Sequence, residues 1–277
     1  MVLNILQKIG ILICVCFLVY IPFLGGLYVF QHKLIYHPNP VKPDLSEIQK
    51  EVPGVEEVTY VLPTGKQMYA WYLKSDQSDK LVVFFHGNTG NLAFNSKRLT
   101  YFAKMGFSVL MPEYEGFGGI KGSLRQFELE RDAKTALLWA LSKGYKEENI
   151  IIYGHSLGTY VALYASKFMS EEKRPVRMTV LEAPFYSLVD MGKNMFGNIV
   201  PLTWLMKDSY PSMDLVEKIN THLVIGHGKA DKVIPYAQGI KLFEKAKHPK
   251  TFFSSDTADH NNLPENGFIE SVLKGVK

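Results

Sequence analysis

The sequence contains only two cysteines, Cys14 and Cys16, and both lie in its apolar N-terminal stretch. Side chains two residues apart on a helix point in different directions, so these two thiols are not expected to pair. The rest of the chain has no cysteine, so its fold does not depend on disulfide bonds. A chain of 277 residues is long enough to bury a sizeable hydrophobic core without them.

The chain also lacks the patterns of several functional classes. Its 31 lysines and arginines exceed its 27 acidic residues by only four, and they form no basic block. We therefore expect no binding of nucleic acid. Paired histidine and carboxylate spacings, a phosphate-binding P-loop and a dinucleotide fingerprint are all missing as well. The sequence thus predicts neither a metal nor a cofactor.

Charge is absent from residues 9–31, a stretch bounded by Lys8 on one side and by His32 and Lys33 on the other. A helix of this length can cross a hydrocarbon layer of ~30 Å. The alternative is a cleaved signal peptide, which has a shorter apolar core followed by a small-residue cleavage site. We predict an uncleaved single-pass anchor in residues 1–36 that crosses the membrane at about 9–30. Because the preceding N-terminal segment is short, we expect the following domain on the non-cytoplasmic side.

The pattern beyond the anchor predicts a connector and one α/β domain. Residues 37–56 are punctuated by proline, and residues 57–277 form the domain, which should fold and work in a fragment beginning near Val41. From residue 81 onward, apolar strand segments alternate with amphipathic helices, which is typical of a doubly wound, mostly parallel sheet. Two antiparallel strands precede it. The predicted strands are 57–62, 67–73, 81–85, 107–111, 150–153, 177–181, 221–226 and 250–253.

The strand at 150–153 leads into the motif Gly154-x-Ser156-x-Gly158, and a helical pattern follows. A strand, a sharp turn and a helix around this motif are typical of a nucleophile elbow. The turn holds the serine in a strained conformation that exposes its Oγ. The flanking glycines leave room for the neighbouring strand and the following helix. The sequence therefore predicts Ser156 as a nucleophile.

An elbow serine needs a base and an acid that orients the base. In this architecture they follow the serine in the order acid, then histidine, and functional loops lie past the carboxyl ends of the strands. His260 follows the last predicted strand and is the candidate base. Asp231 follows the strand at 221–226 and is the favoured acid. Glu182, at the end of the strand at 177–181, is the alternative.

The loop after the strand at 81–85 is the candidate partner of the elbow. An oxyanion is stabilised by the N–H of the residue after the nucleophile and by one from this loop. Those residues are Leu157 and Asn88, and Gly87 would let the loop approach the serine. We also expect His86 and Gly87 to contribute to the binding site.

Taken together, these motifs resemble the α/β-hydrolase fold family of serine hydrolases, in particular its membrane-anchored abhydrolase-domain subgroup, near the serine aminopeptidase-like and lysophospholipase-like hydrolases. The resemblance implies Ser156, Asp231 and His260 as a catalytic triad. Relatives usually carry an aspartate and an arginine where this chain has Glu113 and Glu115. The segments that carry the resemblance are Phe30-Gln31-His32-Lys33-Leu34-Ile35-Tyr36-His37-Pro38, His86-Gly87-Asn88, Gly154-His155-Ser156-Leu157-Gly158, Glu182-Ala183-Pro184-Phe185, Gly228-Lys229-Ala230-Asp231 with Pro235, and Asp259-His260.

Residues 187–214 are longer than a plain crossover between two strands requires, and they are rich in methionine and other apolar residues. They form either a small lid over an acyl pocket or helices packed on the core. We therefore expect a membrane-anchored serine hydrolase of acyl esters or thioesters, with a small-molecule or lipid-like substrate; amides and peptides are less favoured. The alternative function is a non-catalytic, membrane-tethered binding protein of the same fold.

Overall fold

A computed structural model describes residues 2–274 and residue 276. At its centre lies an eight-stranded sheet, and two further strands of two residues each pair with one another. In chain order the strands are β1 (His37–Pro38), β2 (Glu56–Val61), β3 (Gln67–Leu73), β4 (Leu81–Phe85), β5 (Thr89–Gly90), β6 (Ser108–Pro112), β7 (Ile150–His155), β8 (Met178–Glu182), β9 (His222–Gly228) and β10 (Lys250–Ser255).

The large sheet has the strand order β10-β9-β8-β7-β4-β6-β3-β2. Strand β3 runs antiparallel to both of its neighbours, and all other neighbouring strands are parallel. The predicted mostly parallel sheet with an antiparallel pair at its start is therefore confirmed. Parallel strands put all their carboxyl ends at one edge, so the loops after β4, β7, β9 and β10 meet there.

Helices cover both faces of the sheet. In chain order they are α1 (Val2–Ile35), α2 (Leu45–Glu51), α3 (Ser96–Lys104), α4 (Gln126–Ser142), α5 (Leu157–Glu171), α6 (Leu188–Phe196), α7 (Leu202–Leu205), α8 (Ser212–Leu215), α9 (Tyr236–Lys245) and α10 (Phe268–Leu273).

Strand β7 illustrates why the sheet is covered on both sides. All six of its residues are buried. Ile150 and Ile152 pack into a core that includes α4, α5 and α9. Ile151 and Tyr153 pack into a second core with α3 and α10. Because successive side chains on a strand point to opposite faces, a wholly apolar strand requires a helical layer on each face.

The segment Gln7–Ile35 of α1 is long and apolar enough to cross a membrane, and an 18-residue window within it has a mean hydropathy of 2.5. The sequence-predicted crossing at 9–30 lies within it. The helix continues five residues beyond residue 30, and these extra residues matter because they reach the α/β domain.

The chain directly after α1 is packed into the domain. Tyr36 is only 3% exposed, and its hydroxyl forms a hydrogen bond with that of Tyr210. The short strand β1 pairs in parallel with β5 in the loop after β4. The predicted connector thus contains a strand and helix α2, and a fragment beginning at Val41 would lose buried Tyr36. Whether a fragment beginning near Val41 folds and is active stays a prediction, and the packing shows that Tyr36 and strand β1 are what it would lack.

We expect Tyr36→Ala to lower the free energy of unfolding of the domain by about 3–5 kcal/mol, the usual cost of truncating a large buried aromatic residue. Denaturation of the full chain in detergent, followed by near-ultraviolet circular dichroism, measures this loss. The matched control is His37→Ala, because the His37 side chain is exposed. Equal stability of the two variants would show that α1 and the domain fold independently.

Candidate active site

The elbow predicted at Ser156 is present between β7 and α5. The Ser156 backbone has φ of 53° and ψ of −121°, a strained conformation for a residue with a side chain. A Cβ at Gly154 would collide with the carbonyl oxygen of Gly158, and a Cβ at Gly158 would collide with that of Phe85. Both glycines are therefore required because the helix and the neighbouring strand β4 approach the turn closely.

The structure brings Ser156, His260 and Asp231 together from three different loops. His260 Nε2 lies 2.9 Å from Ser156 Oγ, and His260 Nδ1 lies 2.8 Å from Asp231 Oδ2. Since a carboxylate only accepts hydrogen bonds, Nδ1–H donates to Asp231 and Nε2 accepts from the serine hydroxyl. This is the geometry of a serine that can be deprotonated by an oriented imidazole.

Asp231 is held as an ionised acceptor. Its Oδ1 accepts hydrogen bonds from the main-chain N–H groups of Val233 and Ile234, at 2.8 and 2.9 Å. Burial by itself would raise the pKa of Asp231, but hydrogen bonds from His227, His260 and Ile234 outweigh it and hold that pKa well below its usual range. The carboxylate therefore stays charged and fixes the orientation of His260.

Glu182, the alternative acid, forms an ion pair with Arg98 and does not contact the His260 ring. Its two carboxylate oxygens accept from Arg98 Nη2 at 2.6 Å and Nε at 3.0 Å, and one of them also accepts from the Tyr153 hydroxyl at 2.7 Å. The carboxylate is completely buried. Among the described residues, Asp231 is thus the only carboxylate within hydrogen-bond distance of the His260 ring.

Two further histidines support the site, and sequence patterns did not assign them these roles. His155 Nε2 lies 3.0 Å from the carbonyl oxygen of His260 and donates to it. Burial, together with the nearby Arg98 charge, lowers the pKa of His155 well below its ordinary value, so this ring is neutral. His227 Nε2 donates to the carbonyl of Ile234 at 3.0 Å and lies 3.3 Å from Asp231 Oδ2. These contacts position His260 and Asp231.

The predicted oxyanion donors border the same pocket as Ser156. Leu157 is the first residue of α5, so its N–H has no acceptor within the helix. The N–H of Asn88 donates to no protein group in the described part of the chain. Asn88 instead uses its other polar groups: its side chain donates to the carbonyl of Ile35 at 2.5 Å, and its own carbonyl accepts from the His37 N–H at 2.9 Å. The loop is thus fastened to the end of α1.

His86 lies behind this loop and not on the pocket surface, which corrects the prediction that it contributes to binding. It is fully buried, with Nε2 2.8 Å from Glu113 Oε1 and Nδ1 2.8 Å from the Gly87 carbonyl. Gly87 does lie beside Ser156: a Cβ at Gly87 would be 3.4 Å from the Cβ of Ser156. The unusual Glu113 also accepts from the Leu92 N–H at 3.1 Å, so it braces both ends of the loop.

Glu115, which stands where relatives usually carry an arginine, contacts two cationic side chains. One oxygen is 2.6 Å from Lys66 Nζ, and the other forms an ion pair with Arg131. Burial by itself would raise the pKa of Glu115, but the contacts with Lys66, the Ser123 N–H and Arg131 outweigh this effect and hold the pKa below its usual value. Its role is to tie the loop after β6 to α4.

Ser156 opens into an apolar cavity of about 330 Å³. Helices α6 and α7 from the predicted lid form much of its wall, so this segment does shape the pocket. None of the lining side chains is charged. The lining residues are Leu27, Gln31, Leu34, Ile35, Asn88, Ser156, Leu157, Phe185, Leu188, Met191, Gly192, Met195, Phe196, Leu202, Leu205, Met206, Val233 and Ile234.

Solved structures with the same architecture include an α/β hydrolase from Vibrio vulnificus and an esterase from Pyrococcus furiosus. The first has a TM-score of 0.73 at 18% identity and covers 91% of this chain and 92% of its own. The second has a TM-score of 0.67 at 18% identity and covers 87% of this chain and 97% of its own. The fold is therefore that of an α/β hydrolase.

The family is identified from the sequence itself. The model of the family described as serine aminopeptidase, S33, matches residues 76–215. The human protein ABHD12B is 31% identical over 193 residues, which are 64% of this chain and 53% of that protein. The chain belongs to the serine aminopeptidase S33 family and is a hydrolase with the α/β-hydrolase fold.

Proposed function

We propose that this hydrolase is a membrane-anchored serine esterase that cleaves acyl esters or thioesters through an acyl-enzyme intermediate. The observation that supports this function most directly is the chain of hydrogen bonds from Ser156 through His260 to Asp231, at 2.9 and 2.8 Å. A purely binding protein of this fold would not need a strained serine aligned with an oriented base.

The first half of the reaction transfers the acyl group to the enzyme. Ser156 Oγ attacks the substrate carbonyl carbon while its proton passes to His260 Nε2. The negative charge on the former carbonyl oxygen is stabilised by the N–H groups of Leu157 and Asn88. The bond to the leaving group then breaks, and the leaving alkoxide or thiolate takes the proton from Nε2.

The second half restores the enzyme. Water gives a proton to His260 Nε2 and attacks the acyl-serine carbonyl. The bond to Ser156 Oγ breaks, the acid is released, and the proton returns from Nε2 to the serine. Asp231 stabilises the imidazolium in both halves without taking a proton itself.

The composition of the pocket favours an acyl substrate over a peptide N-terminus. A carboxylate is the usual partner of an α-ammonium group, and no lining side chain carries one. The lid and α1 instead supply aliphatic and methionine side chains, which suit a hydrocarbon chain. An aminopeptidase activity, which the family name describes, is therefore disfavoured for this chain.

One experiment tests both the nucleophile and the anchor. Membranes from cells that express the full chain are washed with high salt and alkaline buffer, returned to neutral pH and treated with a fluorophosphonate probe. We expect the washed membranes to retain the labelled protein, because about twenty apolar residues hold a helix in hydrocarbon essentially irreversibly. The Ser156→Ala variant should be present in equal amount but unlabelled.

The two parts of the proposal can fail separately. Labelled protein released into the wash would contradict the anchor while leaving the nucleophile in place. Equal labelling of wild type and Ser156→Ala would reject Ser156 as the nucleophile, and no labelling of either protein would favour the non-catalytic binding function.

A further inference from the structure

The end of α1 forms one wall of the cavity that contains Ser156. Leu27, Gln31, Leu34 and Ile35 all line it, at the i, i+4 and i+3 spacings of one helix face. This face of α1 borders the cavity directly, because its own side chains form part of the cavity wall. The pocket wall is therefore continuous with the segment proposed to cross the membrane.

The length of α1 places this wall at the membrane surface. The apolar segment Gln7–Ile35 has 29 residues and is about 43 Å long at 1.5 Å per residue. A hydrocarbon layer of ~30 Å takes up about 20 of these residues. Because Lys8 bounds the uncharged stretch and Leu27 is the first residue of α1 that lines the cavity, residues 9–26 are the part that crosses, which is about 27 Å at 1.5 Å per residue. Leu27 then lies at the boundary of the hydrocarbon.

The lid reaches along α1 past this boundary. The hydroxyl of Tyr20 donates a hydrogen bond to the carbonyl of Ile199. Tyr20 lies seven residues before Leu27, which is about 10 Å further toward the N-terminal end of α1. The lid segment around Ile199 is therefore at the depth of the hydrocarbon and not of the surrounding water.

Three large apolar side chains of the lid are mostly exposed. Met195 is 78% exposed, Ile199 75% and Trp204 90%. We call these three residues the lid tip. Large exposed apolar side chains on one segment are typical of an interaction surface, and tryptophan is enriched where proteins meet the membrane interface.

Polar contacts begin about two to three turns beyond Tyr20 along α1. Lys207 Nζ lies 4.4 Å from the ring centroid of Tyr28, and the Lys207 N–H donates to the Gln31 side chain at 2.7 Å. Asp208 lies 3.4 Å from His32 Nε2 and 3.0 Å from Arg125 Nε. The charged groups of lid and helix thus lie at the level where a headgroup region would be, above the lid tip.

We propose that the lid tip is inserted into the bilayer beside α1, and that the cavity takes its substrate from the adjoining leaflet. The substrate class is then an acyl lipid that resides in the membrane and enters the pocket along α1 without passing through water. This inference rests on the proposed function for the chemistry at Ser156, but the position of the lid tip is independent of catalysis.

Fluorescence of the reconstituted full chain tests the position of the lid tip. The chain has three tryptophans: Trp71 is 1% exposed, Trp139 is half-buried on α4, and Trp204 is the exposed one. Vesicles of phosphatidylcholine with bromine atoms on the acyl chains should quench the wild-type fluorescence relative to unbrominated vesicles. Trp204→Phe, which keeps an aromatic side chain, should lose most of this quenching. Equal fluorescence of the wild type in both kinds of vesicle would overturn the proposal.

Hydrolysis by the same reconstituted protein tests the route of the substrate. We compare 1-oleoylglycerol held in phosphatidylcholine vesicles with water-soluble p-nitrophenyl butyrate. Trp204→Asp should lower the rate on the vesicle-held ester about tenfold, because it replaces a membrane-buried aromatic side chain with a charge. The rate on the soluble ester should stay within about twofold, since Trp204 does not line the cavity.

The matched control is Leu138→Asp. Leu138 is 44% exposed and lies in the second half of α4, toward the amino ends of the parallel strands and thus away from the lid. The Leu138→Asp substitution should leave the rates on both esters unchanged. Equal loss on both esters in Trp204→Asp would overturn the entry route. The quenching experiment can also be repeated in Ser156→Ala. Quenching without Ser156-dependent activity would reject only the proposed chemistry. Ser156-dependent activity without quenching would reject only the inserted lid tip.

Discussion

Replacement of Ser156 by alanine is expected to lower the turnover of an acyl ester by about 10⁶-fold, the loss typical when the nucleophile of a serine hydrolase is removed. The reason is that His260 then has no hydroxyl to activate, and only the oxyanion donors and the pocket remain. The fold should be retained, because alanine fills less space and the flanking glycines still permit the turn. Steady-state kinetics on purified protein in detergent measures the effect.

The control for this variant is Ser166→Ala. Ser166 lies on helix α5, which begins directly after Ser156, is also buried, and uses its hydroxyl with Thr179 at 2.6 Å. It should keep near wild-type turnover while losing a little stability. Turnover near that of the wild type in a folded Ser156→Ala protein would contradict the role assigned to the elbow.

Asp231→Asn is expected to lower turnover by about 10⁴-fold, as the corresponding change does in serine proteases. An amide at this position can still contact His260 Nδ1, but it favours the wrong tautomer of the imidazole. The N–H groups of Val233 and Ile234 can still donate to the amide oxygen, so the loop should keep its structure. Turnover at saturating substrate, together with the unfolding midpoint, checks both statements.

Glu182→Gln provides the contrast. It removes the charge opposite buried Arg98 and should lower the free energy of unfolding by about 3–5 kcal/mol. The protein that remains folded should keep most of its turnover, because Glu182 does not reach His260. If Glu182→Gln abolished turnover in folded protein and Asp231→Asn did not, the acid of the site would be Glu182.

The turn around Ser156 could be predicted from the sequence because it depends only on neighbouring residues in the chain. A β-branched strand, two glycines flanking a serine and a following helix form a pattern of about a dozen residues around Ser156, and its backbone requirements act on those residues alone. The alternation of strands and helices predicted a parallel sheet with its functional loops at one edge. Both expectations about the fold are confirmed by the structure.

The choice between the two candidate acids could be made only from the folded chain. Asp231 and Glu182 both follow strands that end at the same edge of the sheet, and no spacing in the sequence separates them. The difference comes from Arg98, 84 residues from Glu182 in sequence, which occupies that carboxylate in the core. Likewise the loop motif predicts His86 as a binding residue, whereas the folded chain buries this side chain against Glu113.

The sequence by itself therefore predicted the chain order of the proposed nucleophile, acid and base, and it determined that an apolar helix precedes the domain. Only the tertiary structure decided which carboxylate faces His260 and that the end of α1 lines the cavity beside Ser156. The physical reason is that propensity, turns and apolar periodicity depend on near neighbours in the chain. Ion pairs and pocket walls depend on residues that only folding brings together, such as Gln31 and Leu205, 174 positions apart.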